Sequence, residues 1–575
     1  MGNAAGADDS YHQDVGAVDG GEHGNRRRST SRLHDPNVTF EEYYYYARQS
    51  RAHPSEAPDS PSSASTSGLS RILPFRRKNV SSANDNAVMN EKSSDGSSPA
   101  QAWHNVSDEE RVQASRALRT ATWGAVFYLI TTDILGPYTT AWAFSQMGYA
   151  PAAILYFIFG IFAAYGGALL WRMFLQLDSD RYPLRCYGDI AYRVAGSIAR
   201  HTVNVIQSVQ LLFNVGILII QNGQGLAQIS NGSVCFVILC FVWAIAGAFL
   251  GQIRTLRRLG WLAHAAIWLN ILTLIITTAV VFHSDPNYDA ALANNNAPKG
   301  PKVTTAGPPE GVEFEGQVVG LMQAVFSYGG AMLFVEFMAE MKRPYDFWKG
   351  MVFAQTFIFC CYMIFGFLVY SQQGQFTINP NYQGVSPYAW QTSVNSIALV
   401  TALIAALLYG NIGIKVLYSN VFMELFGFPS LAQKSGKLLW IAVVPIYWGL
   451  AFVVAAAIPS VSNLSGLIAA VCILQFSYTF PPLLMLFHCA QRDAIQEGVE
   501  GFDPSTGQTT RRDSGMSRWM RGLRKNTALN AFNLFFFLGS LATAVLGIYS
   551  AVIGLKNAYA ETAVSGFSCT NPIGA

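Results

Sequence analysis

The 575-residue chain is 51% hydrophobic and only 13% charged, with a formal net charge of +3. Residues 1–119 hold 14 of the 38 basic and 16 of the 35 acidic residues, so the other 456 positions are about 9% charged, against about 25% in soluble domains. This excludes a soluble enzyme, a secreted disulfide scaffold and a nucleic-acid binder. It leaves an all-α polytopic membrane protein, whose lipid bilayer is an obligatory partner.

The first 119 residues are rich in Ser, Asn, Asp and Gly and include SEAPDSPSSASTSG. Such a segment cannot bury enough apolar surface to offset its ordering entropy, so it reads as a disordered cytoplasmic tail open to regulatory partners. Within it, TFEEYYYYARQSR is a helix candidate and SRILPFRRK a basic-apolar patch suited to an anionic membrane surface. Ser107 before Asp108, Glu109 and Glu110 reads as a helix start leading to the membrane. No signal peptide is recognised; the first apolar run begins near residue 121 and acts as its own insertion signal.

A helix needs about 20 apolar residues to cross the hydrocarbon core. Eleven runs qualify: Thr120–Met147, Ala152–Leu175, Thr202–Ile229, Val234–Leu250, Leu259–Phe282, Val318–Met341, Met351–Tyr370, Ala389–Ile414, Leu438–Ile458, Leu464–His488 and Ala528–Leu555. With the N-terminus inside, 21 of the 24 later basic residues fall in inside loops and three outside: Lys299, Lys302 and Lys556. Positive residues stay on the cytoplasmic side of short loops, so the split supports the orientation and the count. Residues 556–575 are then extracytoplasmic.

The first run contains TTDILGPYTTAW, and Gly136-Pro137 should break it. The sixth contains QAVFSYGGAMLFVEFMAEMKRP, with Gly329-Gly330 at similar depth. Each opens a five-run block, about 120–283 and about 318–488, starting from opposite sides; the eleventh run is extra. Interrupted helices at corresponding positions of inverted halves point to a transporter's central site. Freed amides suit a carboxylate and freed carbonyls an ammonium, so an α-amino acid fits.

Three ionisable groups stand out within the runs: Asp133, Glu336 and His264. Apart from Arg172 at the inner end of the second run, no Lys or Arg lies in a run to neutralise them, so they are the candidates for substrate or proton handling. The candidate substrate site is Thr132, Asp133, Leu135, Gly136, Pro137, Asn214, Tyr328, Gly329 and Gly330; the candidate coupling groups are Asp133, Glu336 and His264. Gly136 is expected to bring its backbone to the ligand where no Cβ fits. No metal or cofactor is expected beyond the coupling ion. The cysteines show no metal spacing; those in apolar runs read as packing residues, and Cys569 can pair with Cys235 if both face outside.

The segments TFEEYYYYA, TTDILGPYTTAWAFSQMGYAP, DSDRYPLRCYGDIAYRVAG, LLFNVGILIIQNGQGLAQI and FSYGGAMLFVEFMAEMKRPYDFWKG resemble the amino acid/auxin permease family, in particular its fungal neutral amino acid permeases. The resemblance runs over nearly all of residues 120–555. It implies a leucine-transporter-like fold of eleven helices with a five-plus-five inverted repeat, and symport of neutral amino acids with protons. Asp133 stands where many relatives have Gly. The plasma membrane is the expected location, with the vacuolar membrane as alternative. Sodium coupling and a nutrient-receptor role are the rival readings.

Overall fold

The computed structural model describes residues 35–52, 119–253, 260–423, 426–429, 434–458, 460–561 and 566–572. The basic-apolar patch and the helix start at Ser107 lie outside these. Helices make up nearly all of the regular structure (α1, Phe40–Ala52; α2, Trp123–Ile134; α3, Thr140–Met147; α4, Tyr149–Leu177; α5, Tyr187–Ile229; α6, Phe236–Leu250). They continue through α7 (Gly260–His283), α8 (Tyr288–Asn295), α9 (Phe314–Phe326), α10 (Phe334–Glu340), α11 (Phe347–Gln373), α12 (Tyr388–Leu417) and α13 (Lys434–Ala457). The chain closes with α14 (Val461–Ile468), α15 (Phe480–Arg492), α16 (Met516–Lys525) and α17 (Thr527–Glu561). A small antiparallel hairpin, β1 (Gly501–Asp503) and β2 (Gln508–Thr510), precedes α16.

Among the described residues, nine helices are long and apolar enough to cross a membrane. Two expected runs take another form. The first is split into α2 and α3, and the fourth is α6, a shorter apolar helix of 15 residues. Apolar side chains cover most of these helices all round, as expected where one face meets lipid and the other the bundle; Ile154, Phe157, Ile161, Phe353 and Phe535 are all exposed.

Two packing groups carry the bundle. Helix α5 packs chiefly on α12, α13 and α6, while α11 packs on α2, α3 and α4, and α9 on α3 and α14. The turn from α3 into α4 requires Gly148: its φ is +81°, and a Cβ there would come within 1.9 Å of the Gly307 carbonyl oxygen. The start of α2 meets the end of α10, where the Ala121 amide donates to Glu340 O (3.0 Å) and the Lys342 amide to Ala121 O (3.0 Å). The first and sixth runs therefore enter and leave at the same end of the bundle, in opposite directions.

The helix anticipated from TFEEYYYYARQSR forms, and it is docked. Thr39 Oγ1 accepts from the Glu42 amide (3.4 Å), and Glu41 and Glu42 in the first turn with Arg51 in the last complement the helix dipole. Its residues reach several elements at one end of the bundle. Phe40 packs edge-on against His488 of α15, Tyr182 Oη donates to Glu42 Oε1 (2.6 Å), and Arg193 of α5 lies 4.7 Å over the Tyr43 ring. Glu41 pairs with Arg511 and Arg518. The reading of a solvated segment does not hold for residues 40–52: a ring contact at Phe40, a cation–π contact at Tyr43 and the buried Glu41 carboxylate fix them to the helical core. At the other end of the chain Cys235 and Cys569 form a disulfide, and the Phe236 amide donates to Cys569 O (3.1 Å).

Candidate functional site

The two interruptions fall where Gly and Pro remove helical hydrogen bonds. Helix α2 ends at Ile134; its last turn is closed by the Leu135 amide donating to Thr131 O (2.9 Å). A 3₁₀ turn, Pro137–Thr139, then leads into α3, whose first turn has no side-chain cap. In the sixth run α9 stops at Phe326, and a 3₁₀ segment, Gly329–Leu333, joins it to α10. Tertiary partners compensate the lost bonds: the Gly136 amide donates to the Tyr362 hydroxyl (3.2 Å), and Ser477 Oγ donates to Tyr328 O (3.4 Å).

Both interruptions open onto one cavity of about 170 Å³. This is near the ~150 Å³ of a cavity that accepts a benzene-sized molecule, so a single small solute fits. Thr132, Leu135, Gly136, Asn214, Gly329 and Gly330 line it, six of the nine substrate-site residues named from sequence. The cavity also takes Tyr138, Gln210, Gln221, Asn270, Tyr362 and Thr401, which sequence reading missed. One signal could have found part of this set. Gln210, Asn214, Ile217 and Gln221 follow helical spacing on a single face of α5, and three of the four are polar inside an apolar run.

The other named residues are placed differently. Tyr328 does not line the cavity. Its ring is buried at 1% exposure, with Gly160 against it and Tyr156 and Tyr362 edge-on. Pro137 is buried but shapes the turn rather than the cavity wall. Asp133 lies in the last turn of α2 and His264 in the first turns of α7; their side chains are outside the described residues. Glu336 sits on α10, off the cavity, with Gln207 Nε2 donating to its Oε1 (3.3 Å). The expected steric reason for Gly136 is corrected. A Cβ there would meet only Tyr138 Cδ2, at 4.0 Å, so what matters is its amide and the Pro that follows. The tight glycine is Gly329, where a Cβ would lie 3.0 Å from Ile473 Cγ2.

No charged side chain lines the cavity among the described residues; its polar groups are amides, hydroxyls and the backbone of the breaks. A solute with net charge would find no counter-ion on these walls, whereas a zwitterion can pair each end with helix-end dipoles and freed backbone groups. Aromatic rings (Tyr138, Phe326, Tyr362, Tyr382) supply apolar wall. Two of them are tied to the surrounding frame: Tyr138 Oη donates to Asn270 Oδ1 (3.0 Å), and the Tyr138 and Tyr382 rings meet edge-on at 5.0 Å.

Residues 119–500 match the family described as transmembrane amino acid transporter protein. The chain belongs to this family. It is a family of transporters rather than of enzymes. Among its relatives, a transmembrane transporter of Gibberella moniliformis is 26% identical over 306 residues, 52% of this chain and 61% of the relative. A transmembrane transporter of Fusarium pseudograminearum is 22% identical over 358 residues, 61% of this chain and 66% of the relative. The N amino acid transport system protein of Neurospora crassa is 23% identical over 458 residues, 77% of this chain and 87% of the relative. The chain thus spans somewhat less than two thirds of the first two relatives.

Proposed function

We propose that this protein is a secondary active symporter of neutral amino acids, driven by protons and working by alternating access. The observation that carries the reading is the meeting of the two interrupted helices in one cavity sized for a single small zwitterion, with no charged side chain on its wall among the described residues. The family membership and the name of the Neurospora relative support an amino acid as the substrate class.

The proposed architecture has eleven spans. The split first helix (α2 and α3) and the 15-residue α6 join the nine longer helices. Two inverted five-helix halves precede an extra span at α17. The start of the first run meeting the end of the sixth, at Ala121 and Met341, supports this arrangement. The distribution of basic residues over the loops supports a cytoplasmic N-terminus and a C-terminal segment, with Cys569, outside. The plasma membrane is the proposed location.

Thr132, Leu135, Gly136, Asn214, Gly329 and Gly330 contact the substrate, with Tyr362 holding the Gly136 amide in place. Asp133, Glu336 and His264 are the proton-handling candidates. A neutral cavity leaves the coupling proton to be carried beside the substrate rather than paired with it, since no carboxylate stands on the described wall.

Uptake by purified protein in liposomes tests this. A panel of amino acids is offered at two external pH values, with sodium or choline as the bulk cation. Uptake of neutral amino acids that rises from pH 7 to pH 5 in choline is the expected result. Loss of concentrative uptake in choline makes sodium the coupling ion; binding without uptake makes the protein a receptor.

A further inference from the structure

A line of polar groups on α5 runs through the cavity wall and continues beyond it. Gln207, Gln210, Asn214 and Gln221 share one face of the helix, spaced by three, four and seven residues. Asn214, Gln210 and Gln221 line the cavity. Gln207, one turn further on, does not; it is 1% exposed and donates through Nε2 to Glu336 Oε1 on α10 (3.3 Å) and to Met332 O in the 3₁₀ segment that precedes it (3.4 Å). The stripe from Asn214 to Gln207 covers about 10 Å at 1.5 Å per residue.

These amides are short of partners. Gln207 Oε1, both side-chain polar atoms of Gln210, and Asn214 Oδ1 are buried with no hydrogen bond from the protein. Asn204, one turn beyond Gln207, has both of its amide atoms in the same state and packs against Gly188. A single buried amide left unpaired is costly; several in line are retained only where something polar meets them, and water does so in polar interiors. The stripe runs from the cavity to a carboxyl group, so the polar partner also has somewhere to pass a proton.

We infer that Glu336 is the group that carries the coupling proton, and that Gln210 and Gln207 form a water-bearing link between it and the substrate cavity. This rests on the proton-coupled reading. The proton passes from hydronium in the cavity, which becomes water, to the Glu336 carboxylate, and is released on the other side, past the first turn of α5, to cytoplasmic water. No bond other than O–H is made or broken. The start of α5 faces Glu336: its carboxyl interacts with the Tyr187 amide and with the ionisable groups of Cys186, Tyr187 and Asp189. Asp189 is itself held by the Arg185 and Cys186 amides (2.9 and 3.2 Å). Further along α5, Arg193 donates to Leu177 O and Pro183 O, and Arg200 is buried beside Gly188. On α4, the other helix packed on α10, the one charge, Arg172, is exposed near Tyr165 and Cys489.

The test uses the full chain in liposomes and separates accumulation from exchange. Native protein must accumulate substrate down an imposed proton gradient; if it does not, the proton-coupled reading itself fails. Given that it does, Glu336→Gln is expected to lose at least tenfold in gradient-driven accumulation while retaining exchange of labelled for unlabelled substrate, which needs no net proton movement. Undiminished accumulation by Glu336→Gln overturns the inference. Should Glu336→Gln be inactive in both modes, Glu336→Asp and Gln207→Leu are read instead. Each should shift the pH at half-maximal uptake, because one moves the carboxyl and the other cuts its link to the cavity. A pH profile identical to the native one in both also overturns it.

Discussion

Glu41 and Arg518 form an ion pair at 2.9 Å between side chains only 2% and 5% exposed, although 477 residues separate them in sequence. The other Glu41 oxygen is held at 2.7 Å by Arg511, and Arg518 continues to Glu500 at 2.9 Å. Helix α1 is thus tied through buried charges to the hairpin and α16 that precede the last long helix. Removing one partner of a buried pair costs about 3 kcal/mol or more, because the other charge stays desolvated. Glu41→Ala should therefore release α1, seen as loss of amide protection over residues 40–52 by hydrogen exchange. Arg511→Ala, at a position 41% exposed, should cost about 1 kcal/mol or less. Equal effects of the two substitutions would show that the buried pair does not hold the helix.

Glu500 gives the same junction a pH dependence. Burial would raise its carboxyl, but hydrogen bonds from Arg521 and from the Arg512 and Gln496 amides, with the Arg518 charge, outweigh it and hold it at about 2. A carboxyl depressed on folding stabilises the folded state above its unfolded value, about 4.3, and loses that contribution as the pH falls through the folded one. Protection of the hairpin and α16 should be constant above about pH 5 and fall between about pH 4 and pH 2. Glu500→Gln should flatten that fall, measured by exchange on the detergent-solubilised protein.

The two glycines of the interrupted helices should respond oppositely to a methyl group. Gly136 has open space at its Cβ position, so Gly136→Ala should keep uptake within about a factor of three, a few tenths of a kcal/mol. Gly329→Ala drives a methyl to 3.0 Å from Ile473 and should lower uptake about tenfold, equivalent to about 1–2 kcal/mol of overpacking. Ile473→Val in the Gly329→Ala background should restore part of it. Uptake normalised to surface-expressed protein decides between these outcomes.

Tyr362→Phe leaves the Gly136 amide without its acceptor while keeping the ring. An unpaired buried donor costs about 1–3 kcal/mol, so apparent substrate affinity should weaken by about five- to hundredfold, with expression intact. Unchanged affinity would mean that the amide at the break finds another partner, and that Tyr362 only fills the wall.

The disulfide reports orientation. Cys569→Ser frees Cys235 at the end of the chain's proposed outer face. A membrane-impermeant maleimide should then label intact cells, with labelling unchanged on permeabilisation. Labelling that requires permeabilisation places this end in the cytoplasm and reverses the proposed topology.

The sequence by itself determined the helical membrane architecture and the two interruptions. Both are local: apolar run length sets a spanning helix, and Gly136-Pro137 and Gly329-Gly330 interrupt one wherever they occur. It also located Thr132, Leu135, Gly136, Gly329 and Gly330 at the cavity, because a break exposes its own backbone. Tertiary structure decided the remainder. Gln210 and Gln221 of α5 became part of the site only when that helix packed beside both breaks, and Tyr328 turned away to fill space between α4 and α11. Likewise, the composition of residues 1–119 describes an average segment, whereas Glu41 finds its two arginines 470 and 477 residues away. Pairing of that kind depends on which surfaces the completed bundle brings together, and no linear pattern encodes it.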